Sequence, residues 1–247
     1  MKALVFAAGL GTRLKPLTNS IPKAMVAVNG KPMLEWVILR LIEFDIKEII
    51  VNVHHHAGQI IDFLRSKNNF GIKIEISHEK ELLDTGGGLK KTAWFFENEK
   101  DLLIHNADIL SDIDLKAMYV QHTLEKADAT LAVRKRKTNR YLLFKSDGQL
   151  CGWTAKKENK TLWAGEPENN SVELSFAGIH IISAKLLTKL NTNNIFPIIP
   201  EYLRLASHYN IKGFDTTPFK WIDLGRKENL LDINKIFDFK YFKSYKK

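Results

Sequence analysis

The chain has 247 residues, a length that suits one large α/β domain or two small ones, and its 45% hydrophobic and 26% charged content is ordinary for a soluble protein with a sizeable core. A single cysteine, Cys151, excludes an internal disulfide framework and fits a reducing compartment, where it reads as a small core or surface residue. The formal charge of +9 and pI near 9.4 leave three classes of partner open, namely nucleic acid, an anionic membrane surface or small phosphorylated substrates.

Apolar runs alternate with helix-period segments through the first half of the chain. KALVF from Lys2 reads as a buried first strand, not a signal peptide, because Arg13 and Lys15 follow a short apolar stretch without a small-residue cleavage site. A helix is expected over 32–44, with Pro32 near its first turn. Then come the strand EIIVNV from Glu48, a helical stretch over 59–65, the strand IKIEIS from Ile72, a helix after Gly88 and the strand DLLIHNADIL from Asp101. This order predicts an α/β fold with a doubly wound, mainly parallel sheet. In such sheets ligands bind beyond the carboxyl ends of the strands, which directs attention to the loops after Phe6, after Ser77 and around Asn106 to Asp108.

ATLAVRKRK from Ala129 continues the sheet. YLLFKSDGQLCGW has an SDG turn between two extended runs and reads as a hairpin, followed by a polar stretch over 156–170 and the strand SFAGIHIIS. Residues 140–171 are therefore expected to form a small antiparallel insertion within a single domain spanning 1–247. Helices are expected near 184–190 and 199–209, with a C-terminal helix over about 227–240. No apolar run approaches the roughly 18 residues needed to cross a bilayer, and the expected location is the cytoplasm.

Four stretches carry chemistry. The first is AAGLGTRLKPLTNSIPKAM from Ala7, which lacks the Walker A spacing and departs from the dinucleotide fingerprint at Leu14. Gly9 and Gly11 let backbone N–H groups approach an anion, Arg13 can fork onto phosphate oxygens, and Lys23 after Pro22 adds a point charge. The second is Asp84-Thr85-Gly86-Gly87-Gly88, where glycines at a helix start leave backbone donors open for a base edge or an anion; alone it fits a flexible turn equally well. The third and fourth are Asn106-Ala107-Asp108 and Trp221-Ile222-Asp223-Leu224-Gly225, each placing a carboxylate at a strand end, where a Mg²⁺ ion beside phosphates would be held if the two converge.

Other clusters say less. His54-His55-His56 is read as packing, because adjacent strand residues point to opposite faces. Arg134-Lys135-Arg136-Lys137 is read as a solvated loop, and the last thirteen residues, with five lysines and five aromatics, as a terminal helix with a basic end. No Ser/His/Asp or Cys/His arrangement for covalent catalysis stands out.

Together the four stretches resemble the sugar-1-phosphate nucleotidylyltransferases, or sugar-nucleotide pyrophosphorylases. The family's opening strand, AAG-x-G-T-R-L-x-P-L-T loop and P-K-P appear here as Ala7 to Thr18 and Pro22-Lys23, with Ala24 in place of the second proline. The resemblance implies that Ala8, Gly9, Gly11, Thr12 and Asn106 lie along the nucleotide, that Arg13 and Lys23 are the catalytic cations, and that Asp108 and Asp223 hold Mg²⁺. It also places Thr85, Gly86 and Gly87 on the base and Gly178 in the sugar pocket. The lysine of an E-K-P motif in larger relatives has no counterpart at Glu166-Pro167, and the β-helix acyltransferase domain of some bifunctional relatives is not expected here.

The implied reaction joins an NTP to a sugar-1-phosphate and releases pyrophosphate. Short length and the TGGG turn look most like the N-acetylmuramate-1-phosphate uridylyltransferases, with UTP as nucleotide and cell-wall sugar metabolism as setting. GTP-dependent mannose- or heptose-1-phosphate guanylyltransferases are the alternative. A non-catalytic nucleotide- or sugar-sensing protein is the alternative of another class. Binding of nucleic acid or membrane is not expected, an NAD-dependent dehydrogenase is disfavoured by Leu14, and the oligomeric state is left open.

Overall fold

A computed structural model describes residues 1–191 and 193–237. The described residues fold into two compact units: Met1–Leu82, Ile104–Ile113 and the described residues from Phe219 to Phe237 form the first, and those of Leu83–Leu103 with Asp114–Pro218 form the second.

The first unit begins with β1 (Lys2–Phe6), a short hairpin of β2 (Ala27–Val28) and β3 (Lys31–Pro32), α1 (Met33–Glu43), β4 (Glu48–Val53), α2 (Ala57–Ser66) and β5 (Lys73–His78). β1 pairs in parallel with β4 and β4 with β5, in register Val5 to Val51 and Val51 to Ile76. Ala3, Leu4, Val5, Ile49, Ile50 and Val51 are all buried. Burial on both faces explains why these strands read as continuous apolar runs with no alternation. α1 buries every residue from Met33 to Ile38 and also Leu41, and its Trp36 indole donates to Val28 O at 2.8 Å, tying the hairpin to the helix.

α3 (Asp84–Lys91) opens the second unit. β6 (Asp101–Asn106) follows; its residues from Ile104 belong to the first unit, where the strand lies beside β1 and Ala107 N–H bonds Phe6 O. β7 (Ile109–Ser111) ends this visit. The second unit then takes α4 (Leu115–Leu124), β8 (Ala129–Arg134), β9 (Arg140–Phe144), β10 (Leu150–Ala155), β11 (Lys160–Trp163), β12 (Val172–Ser183), α5 (Ala184–Leu187), α6 (Ile198–Leu205) and β13 (Ile211–Asp215). Its strands run β11-β10-β9-β12-β8 with antiparallel pairing, and β13 adds to β8 in parallel. The chain returns through β14 (Trp221–Asp223), antiparallel to β7, and α7 (Lys227–Ile236).

The α/β class, the parallel strands of the first unit and the hairpin around Gly148 match the sequence expectation. Three features differ. The helix expected after Gly88 starts at Asp84, so the glycines lie inside it. α4 and β13 had no counterpart in the expectation. Antiparallel pairing also extends beyond 140–171, because β12 returns along both β9 and β8. The end of the helix expected to reach 240 and the basic aromatic tail beyond 237 lie outside the described residues. Among the described residues no helix is long and apolar enough to cross a membrane.

Candidate active site

The loop after β1 is built from its apolar anchors outward. Ala7 and Ala8 are buried, and both of their N–H groups point at Asn52 Oδ1, at 2.8 and 3.3 Å. Gly11 has φ +66°, a left-handed conformation, and a β-carbon there would lie 2.8 Å from Thr18 Cγ2 and 3.0 Å from Lys23 Cβ. Glycine is thus demanded twice, by backbone and by space. The Thr18 hydroxyl donates to Gly11 O at 2.8 Å and closes the loop on itself. Leu14, where a dinucleotide fingerprint would have its third glycine, is fully buried among Val26, Val28, Met33, Trp36, Leu110, Ile222 and Leu224. Its neighbours Thr12 and Arg13 stand exposed on the same short 3-10 turn.

Lys23 opens a second 3-10 turn after Pro22, and Ala24 is buried within it. The turn delivers the Lys23 ammonium to Asp108, and the two form an ion pair. Asp108 sits in the two-residue connection between β6 and β7. β14 pairs with β7 in the register Trp221 to Ser111, Ile222 to Leu110 and Asp223 to Ile109, so Asp223 arrives beside the residue that follows Asp108. Leu224 N–H bonds Asp108 O at 2.8 Å, and Gly225 N–H bonds Asp223 Oδ1 at 2.8 Å. The Asn229 amide donates to Asp223 O at 2.5 Å, bracing the strand end against α7.

Convergence is visible at Gly225. A β-carbon built there would lie 2.6 Å from Lys23 Nζ, 2.8 Å from Asp223 Oδ1 and 2.9 Å from Asp108 Oδ2. Three side chains far apart in sequence therefore surround one small space that the missing side chain keeps open. Asn106 ends β6 near this space in sequence, and its carbonyl accepts from His105 Nδ1 at 2.8 Å. Burial, reinforced by the Arg40 charge, lowers the His105 pKa to about 4, so this imidazole is neutral at physiological pH.

In the second unit the residues assigned to the base and sugar have local partners of their own. Gly86 and Gly87 N–H both donate to Phe196 O, at 2.9 and 3.2 Å, and Thr85 N–H bonds Asp84 Oδ1 at 2.6 Å. The backbone donors that the sequence left open in this turn are thus engaged. A β-carbon on Gly86 would lie 2.3 Å from the Phe196 ring, and one on Gly87 would lie 2.0 Å from Asn194 O. Close packing of the 194–196 segment explains both glycines. Gly178 lies in β12 with φ +79°, at a bulge where the register with β8 shifts between Phe176 and His180.

A model of the family described as "Nucleotidyl transferase" matches residues 2–149. The chain belongs to this family. It is 30% identical over 223 residues to the N-acetylmuramate alpha-1-phosphate uridylyltransferase of Caulobacter vibrioides, covering 85% of this chain and 86% of that one. Over 118 residues it is 42% identical to the D-glycero-alpha-D-manno-heptose 1-phosphate guanylyltransferase of Campylobacter jejuni, covering 48% of this chain and 52% of that one. Identity to the UTP–glucose-1-phosphate uridylyltransferase of Synechocystis is 29% over 253 residues, with 92% of this chain matched to 60% of that protein. The chain thus spans only about half to two thirds of several curated relatives. The crystal structure of HddC from Yersinia pseudotuberculosis complexed with GMP-PN shares the fold, with TM-score 0.75, 23% identity, and coverage of 96% and 99% of the two chains.

In this member of the family, sequence reasoning missed Asn52 and Glu79. Both are almost completely buried, and the Asn52 amide donates to Glu79 Oε1 at 2.7 Å. An asparagine inside the apolar run EIIVNV was the available signal. The histidine triplet lies just beyond β4: His54 Nδ1 bonds Glu79 O at 2.8 Å, and His56 Nε2 bonds Asn19 O at 3.3 Å. The second unit also contains a Thr130–His122–Asp101 chain of hydrogen bonds, at 2.9 and 3.3 Å. Thr130 is fully buried and out of reach of a substrate, so the chain joins α4 to its neighbouring strands.

Proposed function

We propose that the protein transfers a nucleotidyl group from an NTP to a sugar-1-phosphate and releases pyrophosphate, with UTP and N-acetylmuramate-1-phosphate as the favoured pair. The observation that carries this reading is the convergence of Lys23, Asp108 and Asp223 around Gly225 in a chain of this family. The choice of uridine and muramate follows the Caulobacter relative, which is matched over most of both chains.

The attacking group would be a phosphate monoester with a second pKa of about 6, largely dianionic at neutral pH. A general base is then unnecessary, and the task is to bring two polyanions together and stabilise charge on the leaving pyrophosphate. The donor set suits Mg²⁺: two hard carboxylates, beside a space that a single β-carbon would fill. Asp108 and Asp223 would hold the ion, which when bound neutralises phosphate charge and orients in-line attack. Lys23 would exchange its ion pair with Asp108 for the α-phosphoryl or the incoming phosphate. Arg13, exposed on its 3-10 turn, would fork onto the leaving phosphates. Ala8, Gly9, Gly11, Thr12 and Asn106 would line the nucleotide, and Thr85, Gly86, Gly87 and Gly178 the base and sugar, with contacts that leave the engaged Gly86 and Gly87 donors undisturbed.

A second reading, GTP with heptose- or mannose-1-phosphate, is favoured by the 118-residue stretch that is 42% identical to the Campylobacter guanylyltransferase. The deciding experiment is a matrix of four NTPs against several sugar-1-phosphates with Mg²⁺, scored by pyrophosphate release. Activity confined to GTP with heptose- or mannose-1-phosphate selects the second reading. Nucleotide binding with no release from any pair supports a sensor instead.

A further inference from the structure

We propose that Asn52 and Glu79 form a positioning pair that fixes where the nucleotide loop leaves the sheet, and so sets nucleotide affinity without touching the reacting atoms. The inference rests on reading the loop after β1 as the nucleotide-binding loop. Asn52 stands one residue before the end of β4 and Glu79 one residue after the end of β5, and both side chains are buried, at 2% and 1% exposure. Buried polar groups at this depth are costly unless they are hydrogen-bonded with the correct polarity.

Here the polarity is fixed from both sides. The Asn52 amide oxygen faces two backbone donors, Ala7 N–H and Ala8 N–H, while its nitrogen faces a carboxylate oxygen, Glu79 Oε1. A backbone N–H only donates, so a flipped amide would set donor against donor at Ala7 and Ala8 and oxygen against oxygen at Glu79. Glu79 is itself held by its backbone, through Glu79 N–H to Val53 O at 2.8 Å and His54 Nδ1 to Glu79 O at 2.8 Å. The carboxylate thus orients the amide, and the amide orients the start of the loop.

The β4–α2 connection and the first turn of α2 grip the far end of the loop. His56 Nε2 donates to Asn19 O at 3.3 Å, and Gln59 Nε2 donates to Ser20 O at 2.8 Å. Between these two anchor points lie Gly9, Gly11, Thr12 and Arg13, whose placement the loop must reproduce each time a triphosphate arrives. A loop pinned at both ends loses less conformational freedom on binding than a free one. Two of the three adjacent histidines, His54 and His56, thus bond backbone carbonyls on either side of the loop.

Ala7 and Ala8 differ in a way that makes the idea testable. Ala7 N–H has a second acceptor in Asn52 O, at 3.1 Å, which survives any change of the side chain. Among the described residues Ala8 N–H has a single acceptor, Asn52 Oδ1. In Asn52→Leu, amide hydrogen exchange at Ala8 should accelerate at least about tenfold, the size expected for one lost hydrogen bond, and Ala7 should change less. Asn52→Asp keeps the acceptor but sets two carboxyl groups against each other. It should raise KM for the nucleotide about tenfold with a smaller change in kcat, on the same hydrogen-bond scale. Adding Glu79→Gln to Asn52→Asp restores a donor–acceptor pair with its direction reversed, and should recover most of the lost affinity.

Unchanged Ala8 exchange in Asn52→Leu would overturn the proposal, as would an Asn52→Asp defect that Glu79→Gln leaves in place. Should Asn52→Leu fail to fold, the Asn52→Asp and Asn52→Asp/Glu79→Gln comparison decides, by nucleotide KM and by Ala8 exchange. A wild-type protein that releases no pyrophosphate from any substrate pair counts against the proposed function alone. The exchange measurement is made on the protein by itself and still judges the positioning pair.

Discussion

Residue 225 is where three charged groups meet, and the absence of a side chain there is a strong local constraint. In Gly225→Ala the new β-carbon would press on Lys23 Nζ and on both carboxylates. These are the far ends of side chains and can swing aside, so thermal stability should stay near that of the wild type while the site closes. The expected loss of turnover is about 100-fold or more, the scale of removing one transition-state electrostatic contact. Steady-state pyrophosphate release and Mn²⁺ binding by electron paramagnetic resonance would check it; normal values in both would remove Gly225 from the site. Asp108→Ala, Asp223→Ala and Arg13→Ala should likewise fold and lose about 100-fold in rate. Near-normal turnover in all three would contradict the assignment. The motifs made Lys23, Asp108 and Asp223 legible as separate residues, because each stands at a strand end or in a glycine-rich loop. Their meeting depends on the pairing of β14 with β7, a contact between distant segments that no local pattern encodes. Asn52 and Glu79 were missed for a related reason. A buried polar residue declares itself only through partners, and here these are 27 and 45 positions away.

At the scale of elements, the glycines of α3 show packing where the sequence offered open donors. Gly87→Ala would place a β-carbon 2.0 Å from Asn194 O, a backbone atom that cannot rotate away. Overpacking of this kind costs about 1–3 kcal/mol, so its urea midpoint should fall while Gly9→Ala, which meets nothing within 4 Å, stays close to the wild type in stability. Equal midpoints would mean that α3 and the 194–196 segment are not packed as described. β6 carries an acid-sensitive group in His105. Its folded pKa of about 4 lies below the ordinary histidine value near 6.5, so the unfolded chain binds the extra proton first as pH falls. Stability is fully present above about pH 6.5 and is lost as pH drops towards 4, by on the order of 3 kcal/mol at the lower limit. Melting curves at pH 7 and pH 4.5 should show a smaller fall for His105→Asn than for the wild type. Strands with continuous apolar runs and the proline-started α1 were legible in sequence, since burial and helix start are local properties. α4 was not: LKAMYVQHTL has no clean apolar stripe, and Val120 and Leu124 stand exposed on it.

For the molecule as a whole, the net charge of +9 gains a specific reading from the proposed reaction, whose two substrates and products are all anionic. Membership of the nucleotidyl transferase family was legible because the AAG-x-G-T-R-L motif lies in one continuous stretch and needs no tertiary context. The base and the sugar were not, because relatives named for uridylyl and for guanylyl transfer both match this chain, the former over more of its length and the latter at higher identity over a shorter stretch. The central claim is direct nucleotidyl transfer from the α-phosphate of an NTP to a sugar-1-phosphate. Phosphorus NMR follows it most directly, with Mg²⁺, wild-type protein and Asp108→Ala, and the substrate pair that gives most pyrophosphate. The account expects a diphosphate-bridged sugar nucleotide and pyrophosphate to grow in equal amounts with the wild type, and about 100-fold more slowly with Asp108→Ala. Hydrolysis of the nucleotide without a sugar-linked product, or no change in any phosphate signal across all pairs, would contradict it.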